Sequence, residues 1–448
     1  MKYSGIPWIG DIPRGWVMKR LKDVGFLYGG LTGKAGDDFI AEEDESCNYM
    51  RFIPFTNIFN NTIINPNQLY KVRIEDGEKQ NLVNKNDILF LMSSEDYDGV
   101  GKPAILEEQI ENLSLNSFCK GFRVTNVETH PKYLLYLLLS HVVRELVRQE
   151  AKGFIRINLR QDKLSTCPIM LPSLSEQQKI ASFLDRKCSE IDEMIALQEK
   201  IVDELKAYKQ SVITEVVTKG LNPDVPMKDS GIEWIGEIPE HWEAHPFKAF
   251  YKTTKGLNIT KDNLVESGIP VISYGQIHSK QNTGTSVSEE LIRYVPADYI
   301  DSNPECLSKK YDIFFADTSE DREGAGNIAL IDVETPIFAG YHTIMAHPSD
   351  RVKSKYIAYL IKTDAWRCQL RCKVQGVKLF SISQKFVNQA SIIVPPMSEQ
   401  IQISEYLDTK CTEIDNLISI KLSKIDSLKE YKKSIIYEYV TGKKEVIE

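Results

Sequence analysis

The sequence lacks any C-x-x-C pair, although it contains eight cysteines among 448 residues. This absence argues against the usual zinc-knot patterns and against the disulfide frameworks of small secreted domains. Long apolar runs are missing too, because the longest, residues 133–143, is too short to span a bilayer and contains Ser140 and His141. The first residues, MKYSGIPWIG, contain no apolar signal core. We therefore predict a soluble, cytoplasmic protein.

Strong positive charge is also absent, since the formal net charge is −8 at pH 7. This excludes a protein that coats nucleic acid indiscriminately, but it allows a selective binder whose basic residues are gathered locally. The hydrophobic content of 42% and charged content of 26% are ordinary for globular proteins. A chain of 448 residues is long enough for two or more domains, each with its own core.

Motifs for bound nucleotides and metals are weak. Residues 29–34, GGLTGK, invite comparison with a phosphate-binding loop, but their glycines are one residue too close and Ala35 stands where Ser or Thr is needed. The Ser-Glu-Asp segments at 94–96 and 319–321 could be imagined as metal ligands, yet no further Asp, Glu or His recurs at a fixed place around them. Loop architecture is therefore the favoured role of these segments. We predict no catalytic, metal or cofactor site.

One long segment is present twice, at residues 175–218 and 398–441, with a displacement of 223 positions and no gap. Each copy starts with Ser-Glu-Gln, contains no Pro or Gly and is rich in helix formers, which predicts one long helix. Apolar residues spaced seven apart favour packing of the two copies against each other. The predicted seam consists of Leu184, Ile191, Ile201, Leu205, Tyr208, Leu407, Ile414, Leu428 and Tyr431. Alternatively, each helix packs only on its own globular half.

A second repeat opens each half, where SGIPWIGDIPRGW at 4–16 matches SGIEWIGEIPEHW at 230–242. Its tryptophan pairs, Trp8 with Trp16 and Trp234 with Trp242, are typical of an apolar clip that pins the start of a domain. Short segments rich in β-branched and aromatic residues follow and predict a twisted sheet. Helical patterns come next, at 132–147 and 355–370.

Positive charge is concentrated at one matching place in each half, after these helical patterns. Residues 153–161, GFIRINLRQ, and 376–384, GVKLFSISQ, alternate apolar and polar side chains. One face of such a strand can pack while the other offers hydrogen-bond donors to phosphates and base edges. The alternative is a solvated strand edge that stays basic to avoid pairing with other chains.

Two features together resemble a known family. Each half begins with an Ile-x-Trp-Ile-Gly-x-Ile-Pro phrase, at 6–13 and 232–239, and ends with a long helix introduced by Pro172 or Pro396 and Ser-Glu-Gln. This combination is similar to the specificity subunit of Type I restriction-modification enzymes. The resemblance covers nearly the whole chain.

The resemblance implies an α+β or α/β fold with two target-recognition domains, at 1–172 and 221–395, joined by two long spacer helices, at 173–220 and 396–448. These helices would form an antiparallel intramolecular coiled coil with a pseudo-twofold internal repeat. Each half would read one part of a split double-stranded DNA sequence. The DNA-facing candidates are Gly153, Arg156, Asn158, Arg160, Lys163, Lys373, Lys378, Ser381, Gln384 and Lys385, with Lys34 and Lys255 as secondary candidates.

The resemblance also implies partners. Two modification subunits, which bind S-adenosylmethionine and methylate adenine, would dock on this chain, and ATP-dependent restriction subunits would join them. The chain itself lacks the Asn-Pro-Pro-Tyr loop that adenine methylation needs, because its one Pro-Pro pair, Pro395-Pro396, follows Val394. We therefore expect a non-catalytic DNA-reading subunit. The alternatives are a scaffold that assembles methyltransferases without reading DNA, and an enzyme with a cryptic site.

Overall fold

A computed structural model describes residues 1–7, 9–40, 48–374 and 379–446. The chain forms two compact units, one of residues 1–199 with 423–448 and the other of residues 200–422. Each long helix is therefore shared between the two units instead of forming a separate segment. Both units combine helices with sheets, which confirms the predicted fold class. In the described part of the chain, no helix is both long and apolar enough to cross a membrane.

All but one of the helices fall at matching places in the two halves, the exception being the helix Tyr299–Ser302. They are α1 (Phe55–Asn60), α2 (Pro131–Leu139), α3 (His141–Glu150), α4 (Gln161–Ser165), α5 (Leu174–Lys219), α6 (Tyr274–Ile277), α7 (Tyr299–Ser302), α8 (Ser354–Ile361), α9 (Asp364–Arg371), α10 (Gln384–Gln389) and α11 (Met397–Val440). Helices α5 and α11 are the two long helices that the repeat predicted. At about 1.5 Å per residue each is roughly 65–70 Å long.

The first unit contains the strands β1 (Lys2–Tyr3), β2 (Asp11–Ile12), β3 (Val17–Arg20), β4 (Gly25–Gly29), β5 (Phe39–Ile40), β6 (Tyr49–Ile53), β7 (Tyr70–Arg73), β8 (Ile88–Leu91), β9 (Ser93–Ser94), β10 (Pro103–Ile105), β11 (Leu113–Leu115), β12 (Cys119–Val124), β13 (Ile157–Asn158) and β14 (Pro168–Leu171). An antiparallel sheet has the order β10-β8-β12-β4, and a mixed sheet has the order β11-β6-β7-β5. Strand β8, Ile-Leu-Phe-Leu, is buried on both faces, so it lies at the centre of the core.

The second unit contains β15 (Met227–Asp229), β16 (Glu237–Pro239), β17 (Glu243–Pro246), β18 (Tyr251–Lys255), β19 (Ile269–Ile272), β20 (Arg293–Val295), β21 (Ile313–Ala316), β22 (Thr318–Ser319), β23 (Ile328–Leu330), β24 (Phe338–Ala339), β25 (Thr343–Pro348), β26 (Phe380–Ser381) and β27 (Ser391–Val394). Its antiparallel sheet β18-β25-β21-β23 matches β4-β12-β8-β10 strand for strand. The two units therefore repeat one fold as well as one sequence pattern.

Each predicted helical pattern before the basic segment is broken into two helices. In the first unit α2 ends at Ser140, whose hydroxyl bonds back to the Leu137 carbonyl at 2.6 Å. In the second unit Thr363 ends one helix in the same way and caps the next by accepting from the Trp366 amide. A short hydroxyl side chain competes with the helix for backbone groups, which accounts for the break.

In each unit the opening phrase is hydrogen-bonded to the Ser-Glu-Gln segment that starts the long helix. Trp16 is 2% exposed and its indole Nε1 donates to Glu176 Oε1 at 3.1 Å. In the second unit Trp242 donates to Glu399 Oε2 at 2.9 Å. The second tryptophan of each phrase therefore holds the start of its unit to the first turn of the long helix, through a hydrogen bond from a buried indole. Trp234 is 47% exposed, so the predicted apolar clip does not include it. Trp8 lies outside the described residues.

The glutamine of each Ser-Glu-Gln forms hydrogen bonds with backbone groups next to the long helix. Gln177 is fully buried, accepts from the His130 amide and donates to the Pro172 carbonyl. Gln400 does the same for the Lys353 amide and the Pro395 carbonyl. Each buried amide side chain therefore ties the first turn of its long helix to the backbone around it.

The long helices pair antiparallel within each unit. In the first unit Leu184 near the start of α5 belongs to one core cluster with Ile435 and Val440 at the end of α11. In the second unit Val217 at the end of α5 packs in one cluster with Leu407 near the start of α11. The predicted partner of each helix, the other copy, is therefore the observed one.

The seam differs from the prediction at Ile201, whose neighbour Val202 is the buried inward residue, and at the two tyrosines. Leu184, Ile191, Leu407 and Ile414 are buried, and Ile201, Leu205 and Leu428 are half-buried. Tyr208 and Tyr431 are 52% and 55% exposed, so their placement in the seam was wrong. Inward-facing residues of α5 alternate by four and three: 184, 188, 191, 195, 198, 202 and 205. The next inward position is Lys209, and Tyr208 lies about 100° around the helix from it.

Candidate nucleic-acid interface

The basic segment of each unit pairs with the start of the Ser-Glu-Asp loop. Strand β13 lies antiparallel to β9, with Asn158 opposite Ser93. Strand β26 lies antiparallel to β22, with Ser381 opposite Thr318. Sequence analysis treated these segments separately, but the fold joins them into the same short ladder in both units. We call this ladder with its flanking loops the reading edge of each unit.

The Ser-Glu-Asp loops are structural turns. Asp96 Oδ1 accepts from the Gly99 amide at 2.5 Å, and Asp321 accepts from the Gly324 amide. A side chain at Gly99 would meet Ser94 Oγ at 2.3 Å, so the turn requires glycine there. The favoured loop role is confirmed. Within the ranges described above, no group of three or more His, Cys, Asp or Glu side chains is placed to hold a metal ion.

Part of the positive charge in each unit holds its own loop together. Arg144 is 8% exposed and donates to the carbonyls of Asp98 and Val100 at 2.7 and 2.8 Å. Its repeat equivalent Arg367 donates to the Glu323 carbonyl at 2.8 Å. Burial lowers the pKa of each of these guanidinium groups to about 10. Arg144 is therefore unavailable to a ligand, whereas Arg367 is only partly buried.

Other cations of the first unit face solvent. Arg156 is exposed and lies 5.4 Å from the centre of the Phe118 ring, without a carboxylate partner among the described residues. Arg160 pairs with Asp162 at 2.9 Å and Lys163 pairs with Glu150 at 2.7 Å. Both pairs are largely exposed, and such pairs contribute little to stability. A phosphate could replace either carboxylate at low cost.

Two further candidates of the first unit have structural and surface roles. Asn158 is exposed on the ladder, where its Nδ2 donates to the Arg156 carbonyl at 3.1 Å. Gly153 has φ +151° and a side chain there would meet the Arg156 carbonyl oxygen at 1.9 Å. Gly153 therefore shapes the loop that carries Arg156. The exposed amide group of Asn158 is available to contact a ligand.

In the second unit Lys373, Ser381 and Lys385 are exposed near the reading edge. Gln384 has a different role from the predicted one, because its Nε2 donates to the Thr253 carbonyl and hydroxyl at 2.7 Å each. Those bonds tie α10 to β18. Lys378 lies outside the described residues.

The two secondary candidates also differ from each other. The Lys34 side chain is 7% exposed and its Nζ lies 2.6 Å from Glu78 Oε2, so the proposed DNA contact was wrong. The bond to Lys34 helps to hold the pKa of Glu78 at about 2, after the larger effect of the Glu75 amide. Lys255 ends β18 and is exposed.

Sequence analysis missed one position beside each reading edge. Phe118 directly precedes β12, and His342 directly precedes β25. The Phe118 residue is 55% exposed, and the His342 side chain is 56% exposed. His342 has φ +55° and its Nδ1 lies 3.2 Å from Asp317 Oδ1. Strand register, not residue identity, shows that these positions are equivalent, because Cys119 and Thr343 pair with matching residues of β8 and β21.

A family model supports this arrangement. The model of the Type I restriction modification DNA specificity domain matches residues 13–207 and 239–441, once for each half of the chain. The chain belongs to this family. Both matches include the reading edge of their half, the first match reaches residue 207 of α5 and the second includes all of α11, so the specificity domain is the unit that is repeated here.

Relatives in this family are similar over most of their length. The chain is 26% identical over 455 residues to the putative type I restriction enzyme MjaX specificity subunit of Methanocaldococcus jannaschii, covering 97% of this chain and 95% of that one. It is 25% identical over 373 residues to the MjaVIII specificity subunit of the same organism, covering 82% and 80%.

Solved structures share the fold. A chain from work on complex assembly and conformational transition of the type I R-M system matches with a TM-score of 0.72 and 15% identity, over 96% of this chain and 99% of that one. The HsdS subunit of Thermoanaerobacter tengcongensis matches with a TM-score of 0.54 and 14% identity, over 96% and 98%. These chains thus share the fold although most residues differ.

Proposed function

We propose that this chain is the sequence-reading subunit of a Type I restriction-modification assembly. Each unit reads one part of a bipartite double-stranded DNA target. The paired helices α5 and α11 set the spacing between the two parts and dock two modification subunits. Reading two parts at a fixed spacing turns two weak contacts into one selective contact. We place the chain in the cytoplasm, where it would meet DNA and these partners.

The observation that carries this proposal is the reading edge, which keeps its backbone in both units while its side chains change. Asn158 faces Ser93 in the first unit, and Ser381 faces Thr318 in the second. An Asn side chain suits bidentate bonding to adenine, whereas Ser and Thr accept or donate to several bases. Two domains that read different DNA sequences need the same backbone arrangement with different hydrogen-bonding side chains, and the two reading edges have this combination.

The reactions are assigned to the partners. S-adenosylmethionine would be bound by the modification subunits and ATP by the restriction subunits, so this chain would be neither a methyltransferase nor a nuclease. The sequence supports this division, because it contains no Asn-Pro-Pro-Tyr loop with which to hold a flipped adenine.

The experiment is to combine the chain with its modification subunits and S-adenosylmethionine and map methylated adenines across a random DNA library. We expect every modified site to contain two fixed groups of bases separated by a constant number of unspecified base pairs. Omitting the chain should abolish this pattern. If the partners alone gave the same pattern, the chain would be a scaffold and the proposal would fail.

A further inference from the structure

A small hairpin of the first unit carries two apolar side chains in an unusual position. Its base is closed by two backbone bonds, from the Lys152 amide to the Asn158 carbonyl at 3.0 Å and from the Asn158 amide to the Lys152 carbonyl at 2.9 Å. Gly153 turns the chain, and Asn158 Nδ2 donates to the Arg156 carbonyl. We call residues 153–156 the tip. These bonds fix the tip relative to the ladder.

The tip presents Phe154 and Ile155 to solvent. Phe154 is 103% exposed and Ile155 is 90% exposed, so neither side chain packs against the described part of the protein. Among the described residues of the unit the next most exposed large apolar side chain, Val127 at 87%, is smaller and follows β12. Two adjacent large apolar side chains at full exposure on a braced loop indicate a surface that is covered in use.

The charges around the tip indicate what covers it. Lys152 and Arg156 flank the apolar pair and are exposed, and Arg160 and Lys163 follow within the same surface segment. The aromatic ring of Phe118 lies under the Arg156 guanidinium. An apolar pair flanked by two exposed cations is complementary to stacked bases flanked by phosphates. An apolar protein surface would offer no counter-charge to Lys152 and Arg156, whereas Arg160 and Lys163 already pair with Asp162 and Glu150.

We propose, on the basis of the function given above, that Phe154 and Ile155 insert against the base stack of the half-site read by the first unit and partly unstack one base step. Insertion of Phe or Ile side chains is a general way in which proteins kink a duplex. Pyrimidine–purine steps unstack most easily, so the tip selects such a step without bonding to its bases. The first half-site is therefore read partly through DNA deformability.

The second unit differs at the equivalent positions. In the aligned sequence Val377 and Lys378 stand where the first unit has Phe154 and Ile155. These two residues lie outside the described part of the chain, but their chemistry supplies one small apolar side chain and a cation. The deformation is accordingly expected at the first half-site and not at the second.

The test uses the complete complex of chain and modification subunits with its own target duplex, once that target has been mapped. Single 2-aminopurines, which replace adenine and whose fluorescence rises on unstacking, are placed in turn at each adenine on either strand of both half-sites. We expect a rise at one step of the first half-site. The double variant Phe154→Ser/Ile155→Ser should lose this rise and bind on the order of tenfold more weakly. Val127→Ser, an exposed apolar change in the same unit, should behave like the wild type.

Three results would overturn the inference. The bound wild-type complex could show no fluorescence rise in the first half-site, or the rise could persist in the double variant. Alternatively, the variant with an unchanged circular dichroism spectrum could fail to assemble with the modification subunits, which would make the tip a protein contact. A wild-type complex that modifies no bipartite sequence would overturn the proposed function as well, before any fluorescence is measured.

Discussion

Lys209 Nζ lies 2.6 Å from Asp415 Oδ2, which joins α5 to α11 in the second unit. The repeat equivalents Lys432 and Asp192 form the same pair at 2.6 Å in the first unit. Exchanging the two copies of the repeat converts one pair into the other. The two ion pairs together fix the antiparallel register of α5 and α11, because sliding one helix along the other would break both pairs.

Reversing one charge of this pair should therefore destabilise the helix pair, and reversing both should restore it. We expect Lys209→Glu or Asp415→Lys to lower stability, with a coupling of about 0.2–1 kcal/mol in the double variant, since the pair is partly exposed. Thermal unfolding of the four proteins measures this coupling. Lys206→Glu, whose partner Asp203 lies on the same helix, is the matched control and should show no coupling with Asp415→Lys.

The indole of Trp16 provides a test of the link between the opening phrase and the long helix. Glu176→Ala leaves a buried donor without a partner, and we expect a loss of about 1–3 kcal/mol in unfolding free energy. Glu176→Gln keeps an oxygen at the acceptor position and should lose clearly less. Urea unfolding compares the two variants, and equal losses would contradict a role for the hydrogen bond.

Alanine variants of Arg144 and Arg156 should have different effects, the first on protein stability and the second on DNA binding. Arg144→Ala removes bonds to two loop carbonyls and is expected to lower the unfolding temperature. Arg156→Ala should leave that temperature unchanged, weaken DNA binding by the assembled complex and reduce the salt dependence of binding by about one phosphate contact. Fluorescence anisotropy at several salt concentrations measures the second effect. A stability loss without a binding loss at Arg156 would remove it from the interface.

Stability should depend on pH through Lys362. Burial, and then the nearby charge of Lys209, lowers the pKa of Lys362 from its usual 10.5 to about 8. Below pH 8 the residue is charged in both the folded and unfolded states, so the full cost of burying the charge is present. Between pH 8 and 10.5 the folded state has lost a proton that the unfolded state keeps, and stability rises.

The variant Lys362→Met should accordingly be more stable than the wild type at pH 7, by ~1–3 kcal/mol. This advantage should shrink as the pH rises from 8 to 10.5. Urea unfolding of both proteins across this range gives the difference directly. A constant difference at all pH values would show that the charge of Lys362 is not responsible.

Sequence alone predicted the elements that depend on local pattern. The two long helices follow from their composition and repeat, and the buried positions Leu184, Ile191, Leu407 and Ile414 follow from their spacing. Tyr208 and Tyr431 were misplaced because a tyrosine fits a seam or a surface equally well, and the adjacent lysines fill the inward column through ion pairs. Lys34 was misplaced because its partner, Glu78, is distant in sequence.

The reading edge was predicted only in part. Exposed Arg156 and Asn158 follow from the alternating pattern of their strand. The pairing of that strand with the Ser-Glu-Asp loop, and the nearby Phe118 and His342, depend on contacts between distant segments that no local pattern encodes. Arg144 and Gln384 have the residue types of DNA contacts, yet the fold uses their hydrogen bonds internally.

The central claim is that each unit reads its own part of the target, and the most direct test compares methylation patterns of two single variants. In the complete complex, Asn158→Ala should relax base preference in one half-site and leave the other unchanged, while Ser381→Ala should do the reverse. Genome-wide mapping of methylated adenines for the two variants and the wild type gives both preferences in one experiment. If both variants altered the same half-site, or neither altered any base preference, the claim would be contradicted.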